Sequence, residues 1–313
     1  MQHRIVFLDR DTVGVELRQP NFPHSFQEYA VTTADCIVDR LKDTTIAILN
    51  KVPMCAETLA QLPKLELIAV AATGTDIVDK LYCRQNGITV VNIRHYAFNT
   101  VPEHVFALIF ALRRNLVAYR DDVRDGAWQR ANQFCFFPHP IRDIAGSTLG
   151  IIGFGELGKS VARRAKALEM HVLATDVVAQ PGLVDLFTVL KESDIVTLHV
   201  PLTQQTRNMI GAKELEMMRR DAILINTARG GLVDEQALAL ALKTRMIAGA
   251  GFDVLTSEPP TNGNALLAID LPNLIVTPHI AWASQQAMRI LADQLIDNIE
   301  AYVSGKPQNV VSD

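Results

Sequence analysis

Residues 147–176 read STLGIIGFGELGKSVARRAKALEMHVLATD, and the order of residue types within them decides the fold. Leu149–Ile152 is a short apolar run suited to a buried parallel strand. Gly153, Phe154, Gly155, Glu156, Leu157 and Gly158 follow at once. Apolar residues at helical spacing come next (Val161, Ala165, Leu168), then a second apolar run, Met170–Ala174, that ends on Asp176. Strand, glycine turn, helix, strand and acid in this register describe a dinucleotide-binding unit. Gly153 permits the tight turn, Gly155 lets a pyrophosphate approach the backbone, and Gly158 lets the helix pack close to the strand. The helix N-terminus turns free N–H groups and a positive dipole end toward the phosphates. Asp176, eighteen positions past Gly158 (176 − 158), supplies a carboxylate for the adenosine ribose. It repels a 2′-phosphate, and Val177-Val178-Ala179-Gln180 adds no basic residue, so the expected cofactor is NAD rather than NADP.

The rest of the composition bounds the class. At 313 residues the chain is long enough for two domains with full cores, and 49% of it is hydrophobic. A net charge of −4 gives no electrostatic reason to expect nucleic acid or an anionic membrane as partner. Cys36, Cys55, Cys83 and Cys135 are scattered, form no CxxC pair, and read as reduced, packed thiols of a cytoplasmic protein. No metal site is expected. The opening MQHRIVFLD reads as a charged lead into a strand, not as a signal peptide. The longest apolar run, Val105–Leu112, stops at Arg113-Arg114 and is too short to span a bilayer.

Ahead of the glycine turn, Arg4–Leu8, Ile46–Leu49, Leu67–Ala72 and Ile88–Val91 read as buried strands. Helical stretches near Ala34–Leu41, Glu57–Leu62 and Asp76–Gln85 lie between them, the last closed by Asn86-Gly87. Thr100-Val101-Pro102-Glu103 carries a capping-box signature, and the helix it opens is expected to reach about Val123. That helix is apolar on nearly every side, which suits burial between two domains, a subunit interface, or both. Residues 126–146 read as an irregular crossing segment. Beyond Asp176, strands are expected at Asp194–Val200, Ala222–Ala228, Ala248–Val254 and Leu274–Thr277, with helices at Ala212–Met218 and Asp234–Lys243. A long helical stretch, Ser284–Ser304, ends at Gly305 and is expected to return to the first domain. The fold class is therefore α/β, with two doubly wound parallel sheets. A flavodoxin-like substrate domain takes residues 1–98 plus 286–313, and a Rossmann cofactor domain takes residues 99–285.

Three polar residues recur just past strands of the second domain: Arg229, Glu258 before Pro259-Pro260, and His279 after Pro278. In a parallel sheet these strand ends share the edge where ligands bind. The three also make chemical sense together. Arg grips a carboxylate bidentately, His moves a proton near neutral pH, and Glu orients the His and favours its charged form.

The chain resembles the D-isomer-specific 2-hydroxyacid dehydrogenase family. The resemblance rests on GIIGFGELG (150–158), HVPLTQQT (199–206), INTARGGLVDEQAL (225–238), GAGFDV (249–254), Glu258-Pro259, TPHIAW (277–282) and ATGTDIVD (72–79). Within the family, NIRHYAFNTVPEHVFALIFALRR and PHIAWAS are most similar to glycerate dehydrogenases, also called hydroxypyruvate reductases. Glu169 departs from the family, which usually has Gly there. The resemblance implies His279 as proton donor to the carbonyl oxygen, Glu258 as its partner, and Arg229 as the grip on the substrate carboxylate. It implies that the Ala72-Thr73-Gly74-Thr75 turn presents N–H groups to that carboxylate. Thr100, Val200, Pro201, Thr206, Thr227, Ala228, Asp253, His279 and Ala281 fall on the cofactor side. Asp253 suits either the nicotinamide carboxamide or a strand-end cap, and Trp282 suits either a pocket wall or ordinary packing. The implied reaction interconverts a small 2-oxo acid and its D-2-hydroxy acid, foremost hydroxypyruvate and D-glycerate. Glyoxylate or D-lactate chemistry is the alternative, and a non-catalytic NAD-binding corepressor is the rival of another class. A homodimer is expected.

Overall fold

The computed structural model describes residues 2–311. They divide into two compact units, one running to Ala97 and resuming at Ala283, the other spanning Phe98–Trp282.

The first unit begins with β1 (His3–Phe7) and β2 (His24–Glu28), then α1 (Ile37–Leu41), β3 (Ile46–Leu49), α2 (Ala56–Leu59), β4 (Leu67–Val70), α3 (Lys80–Gln85) and β5 (Thr89–Val91). Its five strands run parallel in the order β2-β1-β3-β4-β5, the flavodoxin-like arrangement. Every residue of β3 and β4 is buried, as central strands covered on both faces require. Sequence patterning misses β2 because HSFQE is an edge strand whose side chains stay largely in water. It also starts α3 too early. Residues 77–79 are kept out of the helix by a bridge to Met54: Met54 N donates to Ile77 O and Asp79 N donates to Met54 O. Asp79 then caps α3, its carboxylate accepting from Tyr82 N at 2.9 Å.

The second unit opens with α4 (Thr100–Arg113), α5 (Leu116–Arg124) and α6 (Ala127–Ala131). It continues through β6 (Thr148–Ile152), α7 (Glu156–Ala167), β7 (His171–Thr175), α8 (Leu186–Glu192), β8 (Ile195–Leu198) and α9 (Ala212–Met217). β9 (Ile223–Asn226), α10 (Glu235–Lys243), β10 (Gly249–Phe252) and β11 (Leu274–Val276) complete it. The six strands are parallel, in the order β11-β10-β9-β8-β6-β7. The chain leaves β6 for the edge strand β7 and crosses back to β8. The switch point therefore lies between β6 and β8, and the glycine turn follows β6 there. One face of the sheet packs Val105 and Ile109 of α4 and Val161 and Ala165 of α7 against Leu149 and Ile151. The other packs Val189, Leu215, Leu238 and Leu242 against Val196 and Leu224.

Three expectations are corrected here, and the packing of α4 is added. The helix from Thr100 does not reach Val123 unbroken, because Asn115 at φ 50° is left-handed and separates α4 from α5. Thr100 is not a cap but the first helical residue, and its hydroxyl donates to Ala281 O at 2.9 Å. The buried side of α4 is taken up by this unit's own sheet: Leu108 and Leu112 lie where side chains at Gly249 and Gly251 would be, while Phe110 stays exposed. Residues 126–146 are not wholly irregular, since they contain α6 and then fold back on α5. There Tyr119 Oη donates to His139 O at 2.7 Å and His139 Nε2 meets Asp122 Oδ2 at 2.9 Å.

Glu169, where the family has Gly, closes α7 at φ 59°, the left-handed conformation for which Gly is suited. The four cysteines are free, but only Cys83 is fully packed, its thiol pushed up to about 11 by burial. Cys55 and Cys135 are exposed, against the expectation of packed thiols: Cys55 sits just ahead of α2, and Cys135 in the segment between α6 and β6.

The last helix, α11 (Gln285–Val303), belongs to the first unit. Ser284 caps it by accepting from Ala287 N at 3.1 Å, and Gly305 ends it at φ 77°. The buried Asn298 Nδ2 donates to Asn92 O at 2.9 Å, and the Gln294 amide pairs with the Arg94 backbone at 2.6 and 3.1 Å. Among the described residues no helix is long and apolar enough to cross a membrane.

Candidate active site

The glycine turn is shaped by contacts that no side chain could share. Gly153 adopts φ 97°, and a Cβ there would lie 2.5 Å from His199 O. A Cβ on Gly158 would lie 2.1 Å from Gly153 O, so this glycine lets α7 sit against the turn. At Gly155 the space is open: a Cβ there would meet nothing within 4 Å. The start of α7 at Glu156 and Leu157 therefore faces a free approach to its N-terminal amides. Asp176, at the end of β7, accepts from Phe154 N at 2.6 Å and from Val178 N at 3.0 Å. Its carboxylate thus holds the second residue of the glycine turn.

Further along this edge, the β8 end carries Val200 and Pro201. Val200 packs 2.8 Å from the Cβ position of Gly153. Thr206 closes the following turn, its hydroxyl donating to Pro201 O at 2.7 Å and accepting from Thr203 N at 2.7 Å. The β9 end carries Thr227, Ala228 and Arg229, folded by Asn226, which is completely buried. Asn226 Nδ2 donates to Arg229 O at 2.9 Å, and its Oδ1 accepts from Ala228 N at 3.1 Å. Arg229 Nη1 donates to Ala228 O at 2.7 Å. The hydroxyl of Thr227 is buried with no hydrogen-bond partner among the described residues. Buried polar groups are normally paired. This orphan, the open face at Gly155 and the acid at Asp176 all fit a dinucleotide laid along the edge.

His279 and Glu258 meet directly. His279 Nδ1 lies 2.5 Å from Glu258 Oε2, with the two side chains 24% and 31% exposed. The other carboxylate oxygen, Oε1, accepts from Leu255 N at 2.8 Å. His279 sits at φ 55°, a conformation that needs support for a residue with a Cβ. Asp253, 1% exposed, supplies it. Its backbone O accepts from His279 N at 2.8 Å, and its carboxylate accepts from Ile280 N at 2.9 Å and Ala281 N at 2.8 Å. His104 Nε2 lies 3.0 Å from Thr277 Oγ1, which donates to Asp253 Oδ1 at 2.5 Å. These contacts make Asp253 a cap for the loop that carries His279. Trp282 turns its indole N–H back to His279 O at 3.0 Å.

In the first unit, the Ala72–Thr75 turn is anchored by the two residues just past β5: Thr73 Oγ1 donates to Ile93 O and Asn92 Nδ2 donates to Thr73 O, both at 2.8 Å. Sequence reading passes over Asn226, whose amide folds the turn two and three residues on, and His104, which meets Thr277 from across the fold. Asn226 stands inside the quoted motif, yet nothing in the motif says that its amide folds the Arg229 turn.

A dinucleotide seat and an imidazole–carboxylate pair on one sheet edge suit hydride transfer coupled to proton transfer, so the class is a nicotinamide-dependent oxidoreductase. The family profile described as the NAD binding domain of D-isomer specific 2-hydroxyacid dehydrogenases matches residues 106–281. The chain belongs to that family and is an NAD-dependent enzyme. It is 64% identical over 312 residues to a glycerate dehydrogenase of Methylorubrum extorquens, covering 99% of both chains. Among solved structures it resembles an acyclic imino acid reductase in complex with NADPH and D-Arg (32% identity, TM-score 0.84, 99% of this chain and 100% of that one). It also resembles a D-lactate dehydrogenase of Aquifex aeolicus complexed with NAD and lactic acid (28% identity, TM-score 0.83, 96% of each chain).

Proposed function

We propose that this enzyme reduces hydroxypyruvate to D-glycerate with NADH and catalyses the reverse oxidation. The contact that carries the chemistry is His279 Nδ1 on Glu258 Oε2 at 2.5 Å. With Nδ1 committed to the carboxylate, Nε2 is the ring nitrogen that hands a proton to the carbonyl oxygen. Bound NADH supplies the hydride for the carbonyl carbon. Arg229 holds the substrate carboxylate, a role its planar fork suits, and draws electron density from the neighbouring carbonyl. The Ala72–Thr75 turn is assigned by resemblance alone as a source of backbone N–H groups for an anion. Thr227, Ala228, Val200, Pro201, Thr206, Thr100 and Ala281 shape the cofactor side, with the Thr227 hydroxyl as a donor awaiting a partner. In oxidation the imidazole takes the hydroxyl proton.

The choice of hydroxypyruvate is supported by the 64% identity to a glycerate dehydrogenase. An NADH oxidation screen across hydroxypyruvate, glyoxylate, pyruvate and a branched 2-oxo acid tests it. Hydroxypyruvate is expected to give the highest kcat/KM, glyoxylate the next, and the branched acid the lowest. A higher kcat/KM for pyruvate or the branched acid overturns the substrate and leaves the reaction class.

The proposal includes a homodimer. Supporting it, Phe134 is 94% exposed and Phe137 75% exposed, and Leu116, Val123, Trp128 and Ile141, within the same thirty residues of sequence, are exposed too. A cytoplasmic location is part of the same reading, supported by the four free thiols. Sedimentation and cell fractionation test these two points.

A further inference from the structure

We propose that Glu235 is a positioning residue for the Glu258–His279 pair, holding the segment that carries Glu258 in reach of the imidazole. Residues 256–264 contain Glu258 and include no helix or strand. A carboxylate on such a segment needs an outside constraint to keep a 2.5 Å contact with a residue on a different loop. Glu235 provides it at both ends. Its Oε1 accepts from Thr256 N at 2.7 Å, two residues ahead of Glu258. Its Oε2 accepts from Asn264 Nδ2 at 2.7 Å, and Asn264 Oδ1 accepts in turn from Leu266 N at 2.8 Å.

The constraint is tied to a rigid element. Glu235 is the first residue of α10, whose cap is Asp234, accepting from Gln236 N and Ala237 N at 3.0 and 3.1 Å. The same stretch of chain, Arg229 to Glu235, touches the segment a second time. A Cβ on Gly230 would lie 1.9 Å from Leu255 O, so the turn after Arg229 presses backbone to backbone on the start of the Glu258 segment. Leu255 N is also the donor that fixes Glu258 Oε1, leaving Oε2 for His279. Glu235 thus acts through backbone and amide groups on the direction of a carboxylate it does not touch.

The inference rests on the reading of Glu258 as partner to His279, and the test separates the two. The ionisable groups in contact with the His279 turn, among the described residues, are Glu258 at its ring and Asp253 under its backbone, with His104 on α4 at 3.7 Å from Asp253. None of these changes in Glu235→Ala or Asn264→Ala, and Asn264→Ala removes no charge. The pH profile of reductive kcat/KM and the Kd for NADH, by fluorescence titration, are measured for Glu258→Gln, Glu235→Ala, Asn264→Ala and Glu235→Ala with Glu258→Gln. Removing the partner carboxylate disfavours imidazolium, so Glu258→Gln moves the alkaline limb to lower pH. Glu235→Ala and Asn264→Ala are expected to move it in the same direction by less. Turnover falls about 10-fold with NADH Kd held within about 2-fold. The double variant moves no further than Glu258→Gln alone, because the two act on one contact.

Wild-type pH profiles in Glu235→Ala and Asn264→Ala, whatever their Tm, overturn the proposal, as does an additive shift in the double variant. An unmoved profile in Glu258→Gln overturns the pairing itself, and the role of Glu235 with it.

Discussion

The Asp176 carboxylate accepts a hydrogen bond from Phe154 N at 2.6 Å, so the acid proposed to select the cofactor by its ribose also fastens the glycine turn. Two effects are therefore joined in one side chain. Asp176→Ala relieves repulsion of a 2′-phosphate and at the same time frees the turn that receives the pyrophosphate. The expected result is weaker NADH binding by about 10-fold or more, little net gain for NADPH, and a narrowed gap between them. Titration of both reduced cofactors checks it; equal wild-type kcat/KM with NADH and NADPH would remove the role assigned to Asp176 in selection.

The proton donor separates binding from chemistry. His279→Ala is expected to lower turnover about 10²–10⁴-fold while NADH binding holds, because its proton matters mainly in the transition state. Arg229→Ala is expected to raise KM and lower kcat together, since it both binds the carboxylate and polarises the carbonyl. Steady-state kinetics paired with cofactor titration distinguishes these patterns. A His279→Ala enzyme with near-normal kcat would mean that the acid lies elsewhere.

His199 makes folding sensitive to acid. Burial pushes its imidazole down from 6.5 to about 4, and Nε2 lies 3.0 Å from Thr197 Oγ1. Between those two pH values the unfolded chain holds a proton on His199 that the folded chain does not. Stability contributed by this group therefore falls as pH drops through that window and is intact above it. His199→Gln, which still pairs with the Thr197 hydroxyl, is expected to flatten the slope. Urea midpoints for both proteins across the window measure it, and parallel slopes would count against the assignment.

At Glu169 the chain carries a side chain at φ 59° where α7 ends. Left-handed backbone costs a non-glycine residue about 1–2 kcal/mol, partly offset by the greater freedom glycine has when unfolded. Glu169→Gly is expected to stabilise the protein by about 1 kcal/mol without changing kcat. Denaturant titration of the two proteins reads this directly. A destabilised variant would show that the Glu169 side chain compensates for its backbone.

Association is the last expectation. Phe134 and Phe137, 94% and 75% exposed, should be covered by a twofold mate. Wild-type sedimentation at micromolar concentration is expected to show a dimer, and Phe134→Ser with Phe137→Ser to weaken it about 10-fold or more. A wild-type monomer would leave these side chains without the role given to them.

Features encoded within a few turns of chain are legible in the residues alone. The strand, glycine turn, helix and acid of residues 147–176 are contiguous, and their spacing alone places β6, α7 and β7 and names the cofactor class. The central strands are legible because burial on both faces demands uninterrupted apolar runs, as in β3 and β4. Where water replaces burial the signal disappears, and patterning misreads β2 and the exposed Cys55 and Cys135 for that reason. Everything else waits on the folded chain, because hydrogen bonds between distant residues leave no period in the sequence. Asn115 breaks a helix that patterning runs through, and Met54 holds residues 77–79 out of α3. The Asp253 carboxylate is committed to the backbone of Ile280 and Ala281, twenty-seven and twenty-eight residues away (280 − 253, 281 − 253). Glu235 reaches twenty-one and twenty-nine residues along the chain (256 − 235, 264 − 235) to brace the Glu258 segment. Residue types announce which groups can do chemistry; only the fold, by closing those long loops, sets which group each of them holds.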